Sequence, residues 1–362
     1  MMGARGPTTM APLLWAAAAA LLGCCYARVG THTAGPPATK LQSDIRTARP
    51  PGTKLQSGGI VVQLDDSGAY SVQLDSESWL KGGAASIPLR GAAALQQVSR
   101  PSVPAPGKDI WGDYEAVEME WGAAGHVVLE TSVRAYTGRE MVVFSQRWPQ
   151  GWESAVGPGS PGSVIAPFPT FSTEAVGPTL NYIQFGGCQL ANSYAGRWTN
   201  ATTPPGGGFD GKFGCQMGIP TVLYSQTGRA ALLSPAGNWL TAVHEAGNHT
   251  VGIGITAAVS TLPADFSHET ILQAGPTVNK TMRSLGNALL HKSGKPRPDP
   301  YDDFVLAHLG YWTDNGAFYD SGNNHSGFSN HQEAILALKQ RWTEQKIPFR
   351  YAIEPSVRPT CS

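Results

Sequence analysis

Charged residues are scarce in this 362-residue chain, and neither sign prevails. Asp, Glu, Lys and Arg make up 14% of the sequence, against roughly 25% in an average soluble domain. The 26 basic residues balance the 26 acidic ones, so the protein lacks the strong positive field that holds a polyanion. The sequence therefore predicts no nucleic-acid partner, and its 41% hydrophobic content excludes a disordered chain.

The chain also lacks the common motifs of nucleotide binding, serine hydrolysis and zinc catalysis. Gly206 to Gly208 are not followed by the Gly-Lys-Ser/Thr of a phosphate loop, and no serine lies in a Gly-x-Ser-x-Gly elbow. His244 and His249 are five residues apart, whereas two histidines on one helix face need a spacing of four. We therefore expect no cofactor and no metal, and we place His244 to His249 in a surface loop.

No apolar run reaches the roughly 20 residues that a membrane-spanning helix needs. The longest candidate, residues 11–22, follows Arg5 and precedes Cys25-Tyr26-Ala27, a small-residue cleavage site. This pattern is typical of a secretory signal peptide over 1–27, and it predicts a secreted, extracellular protein with no transmembrane span in the mature chain. A membrane anchor is the first alternative. The second is a bacterial lipoprotein box at Leu21 to Cys24, in which Cys24 would be acylated.

Four Asn-x-Ser/Thr sequons favour a eukaryotic secretory route over the lipoprotein alternative. They predict N-glycosylation at Asn200, Asn248, Asn279 and Asn324.

Cysteine is rare, and signal cleavage would leave three in an oxidising compartment. Cys188 and Cys215 flank a loop rich in Pro and Gly, so we predict a disulfide that closes it. Cys361 would stay unpaired. Metal binding is the weaker interpretation, because no Cys-x-x-Cys pair or nearby histidine set accompanies them.

What the chain has in abundance is Gly and Pro, 43 and 28 residues, set between short apolar runs. Residues 28–57 contain a short duplication, Thr-Lys-Leu-Gln-Ser at 39–43 and 53–57, and predict a Pro-rich linker. From residue 60 the apolar residues alternate with a period of two, and Asp66-Ser67-Gly68 marks a hairpin. More than eight strands predict a β-sandwich domain over 58–291 that ends in a helix from about Thr277 to His291. Four tryptophans of this region are expected mostly in its core: Trp148, Trp152, Trp198 and Trp239.

After a second Pro-rich linker, Gly294 to Pro300, the pattern changes to strand, helix, strand. Phe304 to Tyr311 predicts an apolar strand, a capping box at Ser329 to Gln332 begins a helix, and Ile347 to Ile353 predicts a second strand. A β-α-β unit opens parallel sheets and barrels. The fold class expected is thus a mostly β sandwich followed by an incomplete α/β, TIM-barrel-like segment over 302–362.

The first strand of this segment is followed by Trp312-Thr313-Asp314-Asn315. Barrel enzymes build their sites at the C-terminal ends of strands. Trp312 offers a plate for a sugar ring and Asp314 an acceptor for its hydroxyls. The alternative is an ordinary strand-to-helix turn in which Asp and Asn bond the backbone.

The segment from Phe304 to Tyr319, the helix after it and Ile347 to Tyr351 resemble the start of the catalytic barrel in the α-galactosidase and raffinose-synthase type of glycoside hydrolases. A large N-terminal β-sandwich ahead of the barrel is also a feature of that family. The resemblance implies a carbohydrate partner.

One departure from the family pattern bears on activity. The family's second strand ends in acidic residues followed by Trp, whereas Ile353 is followed here by Glu354, Pro355 and Ser356. The family's nucleophile and acid/base lie on later strands, so neither carboxylate of glycoside cleavage is assigned to a residue of this sequence. We expect a glycosidase-like chain without turnover, and we expect coding sequence for further barrel strands beyond the codon for Ser362. The rival hypothesis is a non-catalytic glycan-binding or structural surface module.

Overall fold

The computed structural model describes residues 52–123, 125–185, 193–200, 220–247, 249–312, 327–328 and 331–353. All of them belong to the compact unit that starts at Pro50. The expected signal peptide, including Cys24, and most of the expected linker lie outside the described residues.

Twenty-two strands, three α-helices and two short 3-10 helices make up the described chain. The first eleven strands are β1 (Thr53–Ser57), β2 (Ile60–Leu64), β3 (Tyr70–Leu74), β4 (Glu77–Gly82), β5 (Ser86–Ile87), β6 (Leu95–Gln97), β7 (Ala105–Asp109), β8 (Gly112–Ala123), β9 (His126–Tyr136), β10 (Met141–Trp148) and β11 (Trp152–Glu153). The next nine strands are β12 (Thr170–Ser172), β13 (Asn181–Phe185), β14 (Ser193–Arg197), β15 (Thr221–Tyr224), β16 (Ala230–Pro235), β17 (Ala242–Ala246), β18 (Thr250–Ile255), β19 (Thr261–Leu262) and β20 (Phe266–Gly275). The remaining elements are α1 (Val278–Ser293), α2 (Phe304–Ala307), β21 (Gly310–Trp312), α3 (His331–Glu344), β22 (Tyr351–Ile353), and the 3-10 helices Trp198–Asn200 and Pro300–Asp302.

Two large antiparallel sheets pack face to face. Sheet A has the order β1-β2-β3-β4-β12-β18-β17, and sheet B has the order β14-β13-β15-β16-β20-β10-β9-β8-β6-β5, with β7 beside β8. Their inner faces share one hydrophobic cluster. At its centre, the ring of Phe144 in sheet B lies 5.4 Å from Tyr70 and 5.8 Å from Phe171, both in sheet A, measured between ring centroids. The predicted mostly β sandwich is confirmed.

Helix α1 covers the outer face of sheet B. The Thr277 hydroxyl accepts a hydrogen bond from the Lys280 N–H, and Gly294 ends the helix in the left-handed conformation that glycine adopts without strain. Leu285 and Ala288 are the apolar residues that the helix buries against the sheet. The predicted helix over 277–291 is confirmed to within two residues at its end.

The first strand differs from the sequence expectation. Residues 53–57, which the sequence placed in the linker, form β1 at the edge of sheet A, paired antiparallel with β2. Leu55 and Ser57 are each 1% exposed, and the Ser57 hydroxyl lies within hydrogen-bond distance of the Tyr136 and Arg139 carbonyl oxygens, at 2.7 and 2.6 Å. The strand was missed because the segment is mostly polar. Its burial alternates, and only the side chains of Leu55 and Ser57 are buried.

Phe304 to Tyr311 was predicted as one strand, and this is wrong. The Asp303 carboxylate accepts from the Leu306 N–H and begins the single turn of α2, so that the strand β21 starts only at Gly310. An aspartate before an apolar run is a helix N-cap signal, and here it prevails over the apolar composition. The second strand, predicted over 347–353, is confirmed only at its end, as β22.

Candidate functional site

The β/α segment, residues 304–353, brings two strand ends together. Strands β21 and β22 pair in parallel, with Gly310 opposite Tyr351, Tyr311 opposite Ala352 and Trp312 opposite Ile353. Because the strands are parallel, their C-terminal ends lie at the same edge. Proteins with parallel α/β sheets build their binding sites at this edge of the sheet.

An aromatic cluster fixes α3 on this small sheet. The Trp342 ring of α3 lies 5.9 Å from Tyr311 and 5.0 Å from Phe349, measured between centroids. The Tyr351 hydroxyl donates to the Val305 carbonyl at 3.0 Å. A side chain at Gly310 would overlap the Tyr351 ring, so glycine is required for this packing.

The residues predicted from the sequence divide into three groups. Trp312 is the last residue of β21. Asn200 and Asn279 are exposed, at the end of a 3-10 helix and in the first turn of α1. The remainder lie outside the described residues: Asp314, Cys188, Cys215, Asn248, Asn324, Glu354 and Cys361.

The tryptophans of the sandwich are not all core residues. Trp148 and Trp198 are 1% and 2% exposed, as predicted. Trp152 is half-buried, 6.2 Å from Trp148 between ring centroids. Trp239 is 39% exposed, and its assignment to the core is wrong. It follows Asn238, which turns the chain in a left-handed conformation between β16 and β17.

His244 was expected in a surface loop, and the structure places it in strand β17 between the two sheets, 3% exposed. Gly247 and His249, which suggested a loop, belong to the turn that joins β17 to β18: the Gly247 N–H bonds the Thr250 carbonyl, and His249 has a φ of 55°. Alternation along a strand then directs His244 inward. No local sequence signal distinguishes this strand from a loop.

His244 contacts polar side chains from the opposite sheet. Its Nδ1 lies 3.2 Å from the Thr221 hydroxyl and 3.4 Å from Gln184 Nε2, and the Gln184 amide donates to Thr221 at 3.1 Å. All three side chains are at most 3% exposed. Burial, reinforced by the nearby His268, lowers the pKa of His244 to about 3. The imidazole is therefore neutral at physiological pH.

A second histidine occupies the same inter-sheet layer. His268 of β20 is 1% exposed, and neither ring nitrogen has a hydrogen-bond partner among the described residues. Burial lowers its pKa to about 4; Glu269 raises it and Lys292 lowers it. Two neutral imidazoles thus face the core of the sandwich, where the apolar sequence around them gave no sign of a polar site.

The outer face of sheet B carries a compact ionic network beside α1. Arg134 pairs with Asp109 at 2.8 Å and with Glu269. The Tyr136 hydroxyl donates to Asp109 at 2.6 Å, and Lys292 of α1 lies 2.6 Å from Glu269. Burial opposes ionisation of Glu269, but Arg134 and Lys292 outweigh it and lower its pKa. Both carboxylates are engaged by cations, so the network fastens α1 to the sheet and offers no free base.

None of the helices in the described chain is long and apolar enough to cross a membrane. In the same residues, no group of three or more His, Cys, Asp or Glu side chains is arranged to hold a metal ion.

Among known proteins, the chain is similar only to solved structures. No protein-family model and no curated protein matches the chain. A Glycoside Hydrolase Family 97 enzyme from Pseudoalteromonas sp. strain K8, solved with acarbose, is 11% identical with a TM-score of 0.42 over 72% of this chain and 40% of that chain. The α-N-acetylgalactosaminidase NagBb from Bifidobacterium bifidum is 13% identical with a TM-score of 0.48 over 81% of this chain and 49% of that one.

The chain thus spans less than half the length of these two glycoside hydrolases. A third similar structure, HI1317, is 7% identical with a TM-score of 0.33 over 61% of this chain and 91% of that chain. These identities and TM-scores are too low to assign a function to this chain.

Proposed function

We propose that this protein is a glycoside-hydrolase-like carbohydrate-binding protein whose binding site lies at the C-terminal edge of β21 and β22. The observation that carries the proposal is the parallel register, which opens both strand ends onto one edge. Sugar recognition needs an aromatic ring on which the sugar stacks and a hydrogen-bond acceptor close to it. Trp312 would supply the plate, and Asp314 would accept from hydroxyl groups.

The proposal is binding without turnover. Glycoside cleavage needs two carboxylates at a fixed separation, and this sequence offers no assigned pair. In the described part of the chain, the part-buried carboxylate of Glu269 is held between Arg134 and Lys292. The finer assignment to the α-galactosidase and raffinose-synthase type rests on the sequence resemblance of residues 304–351.

Glycan titration of the purified chain tests the site. We expect weak binding of galactosides, N-acetylgalactosamine or α-glucosides, measured by calorimetry or ligand-observed NMR. Replacing Trp312 by Ala should weaken it by roughly tenfold, since an aromatic contact contributes about 0.5–1.5 kcal/mol beyond area burial. Trp239→Ala, which removes an exposed tryptophan from the sandwich, is the matched control and should leave affinity unchanged.

The reverse result would favour the second candidate function. If Trp239→Ala abolishes binding and Trp312→Ala does not, the sandwich is the glycan-binding module and the β/α segment is structural. If no glycan on this panel binds, the proposal fails.

We also propose that the chain is secreted after cleavage near Ala27, with N-glycans on the exposed Asn200 and Asn279. The support is the apolar run behind Arg5 and the sequons. N-terminal sequencing of the mature protein from a eukaryotic host tests cleavage, and a lipid-modified Cys24 at the N-terminus would establish the alternative.

A further inference from the structure

The one-turn helix α2 and the residues after it carry an exposed apolar surface. Phe304, Val305, Leu306 and Leu309 are between 46% and 71% exposed, and the helix buries none of its residues. These four residues are called the α2 patch. Together they expose on the order of 400 Å² of mostly apolar surface, and an exposed apolar patch of that size on a soluble protein marks an interaction site.

Contacts with the start of β22 hold the α2 patch in position. The Tyr351 hydroxyl donates to the Val305 carbonyl at 3.0 Å, and the Phe304 ring lies 6.0 Å from the Tyr351 ring between centroids. The Leu309 carbonyl accepts from the Arg350 N–H at 2.9 Å. The patch therefore lies where β21 and β22 begin, at the other end of the strands from the edge proposed for glycan binding. A partner on the patch would leave that edge free.

One charge of each sign flanks the α2 patch. Asp302 precedes the helix, and Arg350 lies beside Leu309 through the backbone bond described above. Both residues are exposed, and neither forms an ion pair within the described part of the chain. An apolar centre with an acid on one side and a base on the other is complementary to a second copy of itself turned by a two-fold axis.

We propose that two copies of the chain associate through the α2 patch in a two-fold dimer. The axis would bring Asp302 of one copy towards Arg350 of the other. Because the net charge is zero and only 14% of the residues are charged, like copies meet little repulsion. The two patches with their polar rim bury about 1,200 Å² at most, the low end for specific interfaces, so we expect a weak dimer that dissociates in the micromolar range. This inference does not rest on the proposed function.

Sedimentation velocity of the full chain over a concentration series tests the dimer. We expect the average mass to rise from that of one copy towards that of two between roughly 1 and 300 µM. Leu306→Glu puts a charge in the apolar centre and should weaken association by roughly tenfold or more. Leu240→Glu is the matched control, because it makes the same change at a residue of the sandwich that is 89% exposed. It should leave association unchanged.

Charge reversal tests the two-fold arrangement. Asp302→Arg and Arg350→Glu should each weaken the dimer several-fold, because like charges then face each other on both sides of the axis. The double variant restores opposite charges and should restore the wild-type dissociation constant. Neither side chain forms an ion pair within the described chain, so these changes should leave the fold of each copy intact, which circular dichroism verifies.

A dimer that is lost in Leu306→Glu, kept in Leu240→Glu and restored by the double charge reversal supports the proposal. It is overturned by a single copy at every concentration, by a dimer that Leu306→Glu leaves intact, or by an equal loss in Leu240→Glu. Failure of the double variant to restore association overturns it too, as does growth beyond two copies, because a two-fold contact closes after the second copy. If Leu306→Glu does not fold, the charge-reversal variants still decide the question.

Discussion

Arg134 and Arg147 offer a matched test of how burial sets the energy of an ion pair. Each arginine bridges two carboxylates, and the two lie on the adjacent strands β9 and β10. The Arg134 side chain is 13% exposed, and its partners Asp109 and Glu269 are each 21% exposed. The Arg147 side chain is 49% exposed. Both would be replaced by Met, which keeps most of the apolar stem.

Arg134→Met leaves the part-buried carboxylates of Asp109 and Glu269 without the cation that they share. Breaking a buried pair in this way costs about 3–5 kcal/mol. Because the partners keep some contact with water, and Lys292 still lies 2.6 Å from Glu269, we expect about 2–3 kcal/mol. For a chain of this size that corresponds to a fall in Tm of roughly 3–5 °C. Arg147→Met should change Tm within experimental error, since exposed pairs contribute little.

Thermal unfolding followed by circular dichroism at pH 7 measures both variants, and a second run at pH 4 checks the cause. Without Arg134 the pKa of Glu269 should rise, because burial then dominates. In the wild-type protein the folded-state pKa of Glu269 is lowered, so its ionised form stabilises the fold at pH values above the unfolded pKa. The difference in Tm between wild type and Arg134→Met should therefore shrink as the pH falls to 4. Equal losses for the two variants at pH 7 would refute the reasoning.

Two further predictions concern the β/α segment. Gly310→Ala should separate β21 from β22, because a Cβ there overlaps the Tyr351 ring; faster hydrogen exchange at 351–353 would report it, and unchanged exchange would contradict the packing argument. Chymotrypsin should cut after Tyr301, which is 84% exposed, and leave a fragment ending there that unfolds cooperatively, if the sandwich core is self-contained. A fragment that aggregates or loses its near-ultraviolet signal would show that the β/α segment is needed for stability.

Local sequence patterns determined most of the regular structure. Alternation of period two located strands such as β2 and β3, because one face of each is buried and the pattern repeats at every second residue. Thr277 and Gly294 bounded α1 because capping depends on a few adjacent backbone groups. The β-α-β order of residues 304–353 was also predicted from composition. The exception is residues 304–307, which form a helical turn capped by Asp303 instead of the start of a strand.

Only the tertiary structure decided which polar residues are buried. His244 lies inside because β17 joins the edge of sheet A and sheet B covers it, and both facts depend on residues far away in sequence. The same holds for Leu55 and Ser57 of β1, whose burial depends on β2 and on the carbonyls of Tyr136 and Arg139. A sequence encodes the periodicity of a strand locally. The partner that buries it is chosen by long-range pairing, and so the histidine pair between the sheets was visible only in the folded chain.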